Sequence, residues 1–552
     1  MKITYVKIEN WRSIKCAEFR PSDVTVLVGS NNAGKTNILS AINFVLGERW
    51  PMPANLLDND FYAGDRSRDI KITLYLDHPT YSKIEFDLSR AQYNLQAYDR
   101  SGLAVRGFNN AMRESIAFAY VDAARSFDKQ FSLSRWTLFG QALRTLHGSL
   151  RADEDRLGQL RQSLNAAHEL LKTEDYQRFE RELKDAFAAQ LKTARYDVRF
   201  EFRAIDESNL YRSLYPTLVE GDVPRNPVEV GSGVRNLLVL ALFQAFAKTF
   251  RGNAMLGIEE PELYLHPHAQ RSLMRQFDEL AAAGNQLFVS SHSPLFLDVT
   301  RSERIVLVDR CEDEDGDTCT QVRTSTPDEL LALRMALHPE RPITLDSMRA
   351  FLRNVQRPEM TEGFFSRLCV LVEGQSETEA LPIYARHLGF PFDENGVSIV
   401  SAGGKTAIDT VFHVYQAHRI PTFVIFDNDD GGRAEDVEYN RVMCRLLGMA
   451  EATVPEAAVA DHYAIMGGNW ERESQRALED GSPGLYDELV TEARTSLGLA
   501  PNRNKPLVAR YVAQALVERN IVPTFAQDIV NRLQEIVKPP DAIDDYDFSN
   551  LI

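Results

Sequence analysis

The chain has 552 residues, a formal net charge of −17 and 44% hydrophobic residues, which fits two or three globular domains. The acidic balance excludes a protein that coats nucleic acid by bulk charge, although a local basic groove and metal-holding carboxylates are still compatible with an enzyme acting on nucleic acid. The sequence shows no signal peptide and no apolar run long enough to span a bilayer, so we expect a cytoplasmic protein without membrane contact.

A phosphate-binding loop comes early in the chain. A β-branched run over residues 24–28 predicts a strand, residues 29–36 fit the pattern G-x-x-x-x-G-K-[ST], and residues 38–46 predict a helix. In such a loop the backbone N–H groups face phosphates, the lysine reaches the β and γ phosphates, and the last hydroxyl binds Mg²⁺. The residues expected to contact ATP and its Mg²⁺ are Gly29, Asn32, Gly34, Lys35 and Thr36.

The composition and the predicted secondary structure change twice in the middle of the chain. Residues 128–195 mix charged residues with Leu and Ala and lack proline, which predicts an insertion of two or three long helices. Strand–helix alternation returns over residues 196–310. Residues 311–319 lack the spacing of a calcium-binding loop and are predicted to form the acidic loop of a hairpin. All five cysteines are expected to be free thiols in a reducing compartment.

Two strand ends in this region carry residues suited to phosphate chemistry. The apolar run 254–258 ends in Glu259, which is placed to hold Mg²⁺, and in Glu260, which is placed to orient or deprotonate an attacking water. The strand over residues 287–289 leads to His292, in the position of a γ-phosphate sensor.

This order of motifs resembles ATP-binding-cassette ATPases of the RecF/SMC type. The resemblance implies a signature motif that contacts the γ-phosphate from a partner subunit, and its best match is Gly231-Ser232-Gly233-Val234-Arg235 at the start of a predicted helix. We therefore expect Ser232 and Gly233 to contact nucleotide. ATP held between two such heads implies a dimer.

A second acidic region begins at residue 368. Glu373 follows an apolar strand, and Glu377 lies four residues later in the first helical turn. A buried strand over residues 421–426 then ends in Asp427, and Asp429 projects the same way if strand geometry continues. Four carboxylates at adjacent strand ends would repel one another without a cation, so the pattern predicts a Mg²⁺ or Mn²⁺ site.

The pattern V-E-G-x-x-E, followed by a strand that ends in D-x-D, resembles the Toprim domain of topoisomerases, primases and some nucleases. The resemblance implies metal-dependent phosphodiester chemistry on DNA within a Rossmann-like α/β fold. Between the two motifs, the segment Val400–Lys405 predicts another strand end, which contacts DNA phosphate or shapes the site.

An ABC-type ATPase head followed by a Toprim domain resembles the overcoming-lysogenization-defect (OLD) family of nucleases, which includes the nuclease subunit of Gabija-type phage defence. The run from Glu259 to Pro267 is typical of that family. The resemblance implies an α/β ATPase domain over residues 1–345, interrupted by a dimerising helical insertion at 128–195. It further implies a linker over 346–365 and a nuclease domain over 366–552.

The OLD resemblance also implies two metals and a late lysine. Glu373, Asp427 and Asp429 are expected to bind one metal, and Glu377 the other together with a later acid. Glu471 is the candidate for that acid, with Glu473 and Asp461 as rivals. Lys505 matches the family's lysine near the scissile phosphate.

The leading hypothesis is an ATP-regulated, metal-dependent DNA endonuclease that forms a homodimer or higher oligomer, with a helicase-like protein as a possible partner. The alternative is a non-cleaving ATPase clamp or sensor whose Toprim domain only binds. A topoisomerase needs a separate DNA-breakage domain with a nucleophilic tyrosine, and a primase needs a zinc module that the cysteines do not supply. Whether ATP activates or inhibits cleavage is left open by the sequence.

Overall fold

A computed structural model of the chain describes residues 1–89, 92–123, 131–132, 134, 136–190, 214, 216–250, 254–263, 265–430, 432–479, 481–500 and 503–537. Parts of three expectations lie outside the described residues. They are both ends of the helical insertion, the segment 196–213 and the C-terminal residues 538–552.

The strands form three large sheets and one small hairpin. They are β1 (Lys2–Trp11), β2 (Ile14–Phe19), β3 (Val24–Val28), β4 (Ile70–Asp77), β5 (Tyr81–Leu88), β6 (Tyr93–Asp99), β7 (Phe118–Val121), β8 (Leu218–Glu220), β9 (Val223–Arg225), β10 (Met255–Glu259), β11 (Gln286–Ser290), β12 (Ile305–Glu312), β13 (Thr318–Thr324), β14 (Leu368–Val372), β15 (Val397–Ser401), β16 (Thr422–Asp427), β17 (Ala458–Val459) and β18 (Tyr463–Met466).

The helices alternate with these strands and also form the insertion. They are α1 (Lys35–Leu46), α2 (Asn110–Arg113), α3 (Leu138–Ala152), α4 (Glu154–Leu171), α5 (Glu174–Gln190), α6 (Ser232–Phe250), α7 (Pro267–Ala282), α8 (Pro327–Leu337), α9 (Leu345–Val355), α10 (Pro358–Glu362), α11 (Gln375–His387), α12 (Lys405–Ala417), α13 (Ala434–Leu446), α14 (Trp470–Glu479), α15 (Leu485–Leu497), α16 (Lys505–Glu518) and α17 (Thr524–Ile536). None of the described helices is both long and apolar enough to cross a membrane.

The central sheet of the first domain has the order β13-β12-β3-β11-β10-β7. Every residue of β3, β10 and β11 is buried, as expected for parallel strands covered on both faces. The three strands run parallel, so their carboxyl ends, with the phosphate-binding loop, Glu259 and Ser290, meet at one edge of the sheet. An antiparallel sheet, β2-β1-β4-β5-β6, completes this domain.

Within the described part of the insertion, residues 138–190 form three consecutive helices, α3 to α5. The side chains of Thr137 and Asp153 cap α3 and α4 by accepting hydrogen bonds from backbone N–H groups. Leu170 and Phe179 are exposed on these helices by 83% and 61% of their surface. These two apolar side chains are thus mostly accessible to solvent.

Residues 311–319 form the end of the β12–β13 hairpin, which confirms the sequence prediction. The expectation of five free thiols is wrong for two of them, because Cys311 and Cys319 form a disulfide. Antiparallel register places these two residues directly opposite each other, 5.0 Å apart at Cα. Cys16, Cys369 and Cys444 are free.

The second domain is built on a sheet with the order β15-β14-β16-β18-β17. β14 pairs in parallel with both β15 and β16, and β16 pairs in parallel with β18. The loops after β14, β15, β16 and β18 therefore lie side by side at one edge, where the acidic motifs were expected.

A continuous apolar core joins the two domains. It includes Val26 and Leu287 of the first sheet as well as Leu371 and Val424 of the second. The segment 346–365, expected to be a linker, forms α9 and α10 and contributes Met348, Leu352, Val355 and Met360 to this core. The two sheets are thus connected by packed helices and not by a loose tether.

Candidate functional site

The phosphate-binding loop follows β3 and leads directly into α1. Gly29 and Gly34 have φ angles of 148° and 110°, which residues with a side chain rarely adopt. A Cβ atom at Gly34 would lie 2.2 Å from Thr320 Oγ1, and one at Gly29 would lie 1.9 Å from the Val308 carbonyl oxygen. Both glycines are therefore required by the β12–β13 hairpin packed against the loop.

The hairpin also fixes the loop by hydrogen bonds. The Thr320 hydroxyl donates to the carbonyl oxygen of Ala33 at 2.9 Å, and Arg310 Nε donates to that of Asn32 at 3.1 Å. Thr36, the predicted Mg²⁺ ligand, is exposed at the start of α1.

Lys35 is buried and folds back over the loop. Its Nζ donates to the carbonyl oxygens of Gly29 and Ser30 at 3.0 and 2.8 Å. Burial lowers the pKa of Lys35 to about 8, against the opposing effect of Glu260 and Glu262. An ammonium group that is desolvated and bonded to carbonyls is suited to receive an anionic phosphate.

Glu259 is 5% exposed at the end of β10 and already has two hydrogen-bond donors. The Tyr120 hydroxyl donates to Oε1 at 2.6 Å, and the Ala123 N–H donates to Oε2 at 3.0 Å. Burial and the adjacent carboxylate raise the pKa of Tyr120. Sequence reasoning missed Tyr120, whose strand β7 reaches Glu259 only through sheet pairing.

Glu260 and His292 come together as expected, with 3.9 Å between Glu260 Oε1 and His292 Nε2. Burial and the Lys35 charge lower the pKa of His292, although Glu260 opposes them. Glu260 has a φ angle of 42°, and its N–H donates to the Ser290 carbonyl oxygen at 2.8 Å. This turn directs the Glu260 carboxylate toward the histidine.

Glu262 was not singled out from the sequence, although it is buried in the same place. Its Oε1 accepts hydrogen bonds from Ser291 Oγ at 2.9 Å and from the His292 N–H at 2.6 Å. Its Oε2 is buried and has no hydrogen-bond partner among the residues that the structure describes, and burial raises the pKa of Glu262. Glu262 thus positions the histidine loop.

The predicted signature motif lies at the start of α6. Ser232 is the first residue of that helix, and the Gly231 carbonyl oxygen accepts hydrogen bonds from the N–H groups of Val234 and Arg235 at 3.0 and 3.2 Å. Ser232 and Gly233 thus lie at a helix N-terminus, the expected place for an anion contact.

The second domain contains an acidic cavity of about 530 Å³ at the carboxyl edge of its sheet. All five predicted metal-binding acids and the predicted lysine line it: Glu373, Glu377, Asp427, Asp429, Glu471 and Lys505. The structure thus brings together residues that lie up to 132 positions apart in the sequence, from 373 to 505.

Glu377 is buried, and Glu373 and Asp427 are partly buried. Burial raises the pKa of Glu373 and, together with neighbouring carboxylates, that of Asp427, and it raises the pKa of Glu377 to about 7. The Asp427 N–H donates to Glu373 Oε2 at 3.3 Å. Asp427 Oδ1 is buried and has no hydrogen-bond partner among the described residues. The charged form of these three carboxylates is thus disfavoured, and a bound cation would stabilise it.

Asp429 does not continue strand geometry, contrary to the simplest sequence expectation. Its φ angle is 52°, and its N–H donates to the Gly468 carbonyl oxygen at 3.1 Å. Asn428 stabilises this turn by accepting hydrogen bonds from the N–H groups of Asp430 and Gly468. The Asp429 carboxylate is paired with the buried Lys405, a contact that sequence reasoning missed.

Glu471 lies in the first turn of α14 and is the acid that the structure brings to the cavity. Its carboxylate accepts hydrogen bonds from Ser376 Oγ at 3.0 Å and from Lys505 Nζ at 3.4 Å. The rivals lie elsewhere: Glu473 accepts a bond from the Gly467 N–H, and Asp461 pairs with Arg532.

The cavity fits divalent cations in its chemistry. It offers carboxylate oxygens, the ligands that Mg²⁺ and Mn²⁺ prefer, and one of them, the buried Asp427 Oδ1, has no hydrogen-bond partner within the described part of the chain. In the part of the chain that the structure describes, however, no three His, Cys, Asp or Glu side chains already converge as a finished metal-binding group.

Two family models match the chain in the order expected from the sequence. The model described as "AAA domain, putative AbiEii toxin, Type IV TA system" matches residues 24–298. The model described as "Overcoming lysogenization defect protein-like, TOPRIM domain" matches residues 364–429. These matches confirm an ATPase domain followed by a Toprim domain.

Curated relatives match over most of the chain. It is 27% identical to the OLD nuclease of Thermus scotoductus, over 77% of this chain and 81% of the relative. It is 23% identical to the Old nuclease of Escherichia phage P2, over 78% and 77%. It is also 23% identical to the endonuclease GajA of Bacillus cereus, over 56% and 59%.

Solved structures resemble the chain more distantly. Stu0660 of Streptococcus thermophilus has a TM-score of 0.39 and 13% identity, over 64% of this chain and 85% of that chain. The SMC head domain from Thermotoga maritima has a TM-score of 0.29 and 15% identity, over 59% and 100%. Likenesses at these TM-scores do not decide the fold or the activity.

Proposed function

We propose that the chain, which is similar to OLD nucleases over most of its length, is an ATP-regulated, divalent-metal-dependent DNA endonuclease of the OLD family. The observation that carries the proposal is the cavity in which five acids and Lys505 meet. Nuclease relatives supply DNA as the substrate class. Phage defence or DNA processing is the proposed setting.

Glu373, Asp427 and Asp429 would hold one cation, and Glu377 and Glu471 the other. Bound there, Mg²⁺ or Mn²⁺ would help to activate water and to neutralise charge on the leaving oxygen. Lys505, whose side chain is 58% exposed at the cavity, would bind the DNA phosphate and stabilise its developing charge.

The nucleotide site is proposed to control this chemistry. Lys35 and Thr36 would hold the phosphates and Mg²⁺ of ATP, with Gly29, Asn32 and Gly34 shaping the loop and Glu259 oriented by Tyr120. Glu260 would orient the attacking water, and His292 would sense the γ-phosphate.

Ser232 and Gly233 would contact the nucleotide of a second protomer, as in head-to-head dimers of related ATPases. The exposed Leu170 and Phe179 support self-association through the helical insertion. We propose residues 1–345 and 366–552 as the two functional domains, and we retain a helicase-like partner and a cytoplasmic location as further proposals.

One observation favours the alternative of a non-cleaving ATPase clamp or sensor. Asp429 is occupied by Lys405, so a finished metal site is not present in the described structure. Five intact acids around one cavity favour the nuclease over this alternative.

The test is plasmid cleavage during a titration with Mg²⁺ and Mn²⁺. Glu373→Ala and Asp427→Ala are each expected to reduce the cleavage rate by at least about 1,000-fold, because each removes an oxygen ligand where charge develops. Asp461→Ala is the matched control, since this acid lies in the same domain but outside the cavity. Unchanged cleavage in the first two variants would overturn the proposed function.

A further inference from the structure

A buried lysine beside the carboxylate cavity has no part in the chemistry above. Lys405 is the first residue of α12, and its side chain is 3% exposed. Its ammonium group donates to Asp429 Oδ2 and, at 2.9 Å, to Asn440 Oδ1. A buried ammonium is costly unless it is paired, so these two partners account for its place in the fold.

The same network fixes the turn that carries Asp429. Asn440 Nδ2 donates to the carbonyl oxygens of Asn428 and Thr453 at 2.6 and 2.7 Å. Asp429 itself has a φ angle of 52°, in the left-handed region, where its side chain makes the backbone less stable than in a strand. Lys405 and Asn440 therefore hold the turn in a conformation that it would not favour alone.

Lys405 also supplies positive charge to the acids. Its ammonium group pairs with the carboxylate of Asp429, one of the five acids that line the cavity. The other lysine at the cavity, Lys505, bonds to Glu471 and is mostly exposed. The ammonium group that pairs with a carboxylate of the D-x-D turn is thus that of Lys405.

We propose that Lys405 is a positioning residue that holds Asp429 in the metal-free protein and competes with a divalent cation for its carboxylate. This inference rests on the proposed metal site. A cation that binds Asp429 must weaken the ion pair and must tolerate a nearby ammonium of the same sign. Lys405 therefore lowers metal affinity while it stabilises the metal-free fold.

The test is Mn²⁺ binding to the nucleotide-free full chain, measured by calorimetry, together with its thermal midpoint in chelator. Lys405→Met is expected to lower the Mn²⁺ dissociation constant by about tenfold or more. It is also expected to lower the metal-free midpoint. A purely structural role would lower the midpoint without tightening Mn²⁺ binding. An unchanged or larger dissociation constant in a folded Lys405→Met protein would overturn the inference.

Lys15→Met is the matched control, because Lys15 also pairs with a buried aspartate, Asp313 at 2.9 Å, but in the other domain. Its Mn²⁺ dissociation constant should equal that of the wild type. Binding that Glu373→Ala removes identifies the cavity as the site. If the wild type shows no such binding, the proposed function fails separately from the Lys405 inference.

If the Lys405→Met protein does not fold, a second measurement tests the same ion pair. Asp429→Asn leaves a buried ammonium facing a neutral amide, whereas Lys405→Met combined with Asp429→Asn removes both charges. Chemical denaturation in chelator should find the double variant at least as stable as Asp429→Asn alone. A double variant that is less stable than Asp429→Asn alone, or no effect of Asp429→Asn, would contradict the pairing.

Discussion

Two helices of this protein begin with a buried lysine that follows a glycine. The two ammonium groups have different partners, neutral carbonyl oxygens in one case and a carboxylate in the other. Lys35 begins α1 and donates to backbone carbonyl oxygens, and burial lowers its pKa to about 8. Lys405 begins α12 and is paired with a carboxylate. The first lysine is prepared for an external anion, whereas the second is already neutralised by the protein.

The largest test of this contrast is Lys35→Ala. We expect it to reduce ATP hydrolysis by at least about 100-fold, because the phosphates lose the only charge that the loop contributes to their transfer. Phosphate release is the measurement, and Lys172→Ala on the exposed insertion is the control. Lys405→Met should leave ATP hydrolysis within about twofold of wild type, and a similar loss there would break the comparison.

The same Lys35→Ala protein tests coupling between the sites. Nicking should be measured with ATP, with a non-hydrolysable analogue and without nucleotide. Regulation predicts that the wild type responds to nucleotide and that Lys35→Ala does not. If the two proteins behave alike in all three conditions, the nucleotide site does not control cleavage.

The next test concerns how each helix is anchored. α1 is anchored by apolar residues, whereas α12 carries the fully buried Asp409, which accepts hydrogen bonds from Arg334 at 2.8 Å and from His338 at 2.7 Å. Asp409→Asn should lower the free energy of unfolding by about 3 kcal/mol, because Arg334 loses its buried partner charge. Urea denaturation measures this, with the exposed Asp528→Asn as the control. Equal stability of the two variants would contradict an electrostatic anchor.

The disulfide provides a smaller test on the nucleotide side. Cys311 and Cys319 close the hairpin whose neighbouring residues, Arg310 and Thr320, hold the phosphate-binding loop. Replacing both cysteines with serine should lower the free energy of unfolding by about 2.5 kcal/mol in oxidising buffer, from the loss of loop closure. In reducing buffer the difference should disappear. A stability unaffected by either condition would show that the hairpin does not need its covalent bond.

The smallest effect is a pH dependence at Asp409. Burial raises the pKa of this carboxyl, but the His338 hydrogen bond and the Arg334 charge outweigh it and hold the pKa at about 2. Tyr439 also bonds to Asp409, and His413 lies nearby. Because the folded pKa lies below the unfolded value of 3.8, the pair stabilises the fold above pH 4.

That stabilisation, about 2 kcal/mol, should be lost as the pH falls from about 4 to about 2. The stability difference between wild type and Asp409→Asn, measured by urea denaturation, should shrink over the same interval. A difference that stays constant with pH would assign the anchor to packing.

The sequence predicts those parts of the two sites that depend on a motif next to a recognisable strand. The phosphate-binding loop and the acids at 373, 427 and 429 follow buried strands, and parallel strands end at a common edge. Glu262 and Tyr120 were missed because their roles depend on loop and strand neighbours that no spacing reveals. For Lys405 a signal existed, since Gly404-Lys405-Thr406 repeats Gly34-Lys35-Thr36. Its carboxylate partner required the tertiary structure.

The disulfide could also be predicted from the sequence. The sequence predicts a hairpin around residues 311–319, whose two ends are cysteines, and antiparallel register then places Cys311 opposite Cys319. Asp429 was expected to follow strand geometry, whereas the hydrogen bonds of Asn428 and Gly468 turn the chain at that point. Both differences come from pairing across a turn, which periodicity alone does not encode.

The position of β3 at the centre of its sheet has a consequence for biosynthesis. Its neighbours are β11 and β12, so residues 24–28 cannot form their sheet hydrogen bonds until residues 286–290 and 305–312 have been translated. The strands of the carboxylate sheet, by contrast, all lie within residues 368–466. A nascent chain therefore carries an unpaired, apolar β3 through nearly half of its synthesis, and this strand is exposed to chaperones during that time.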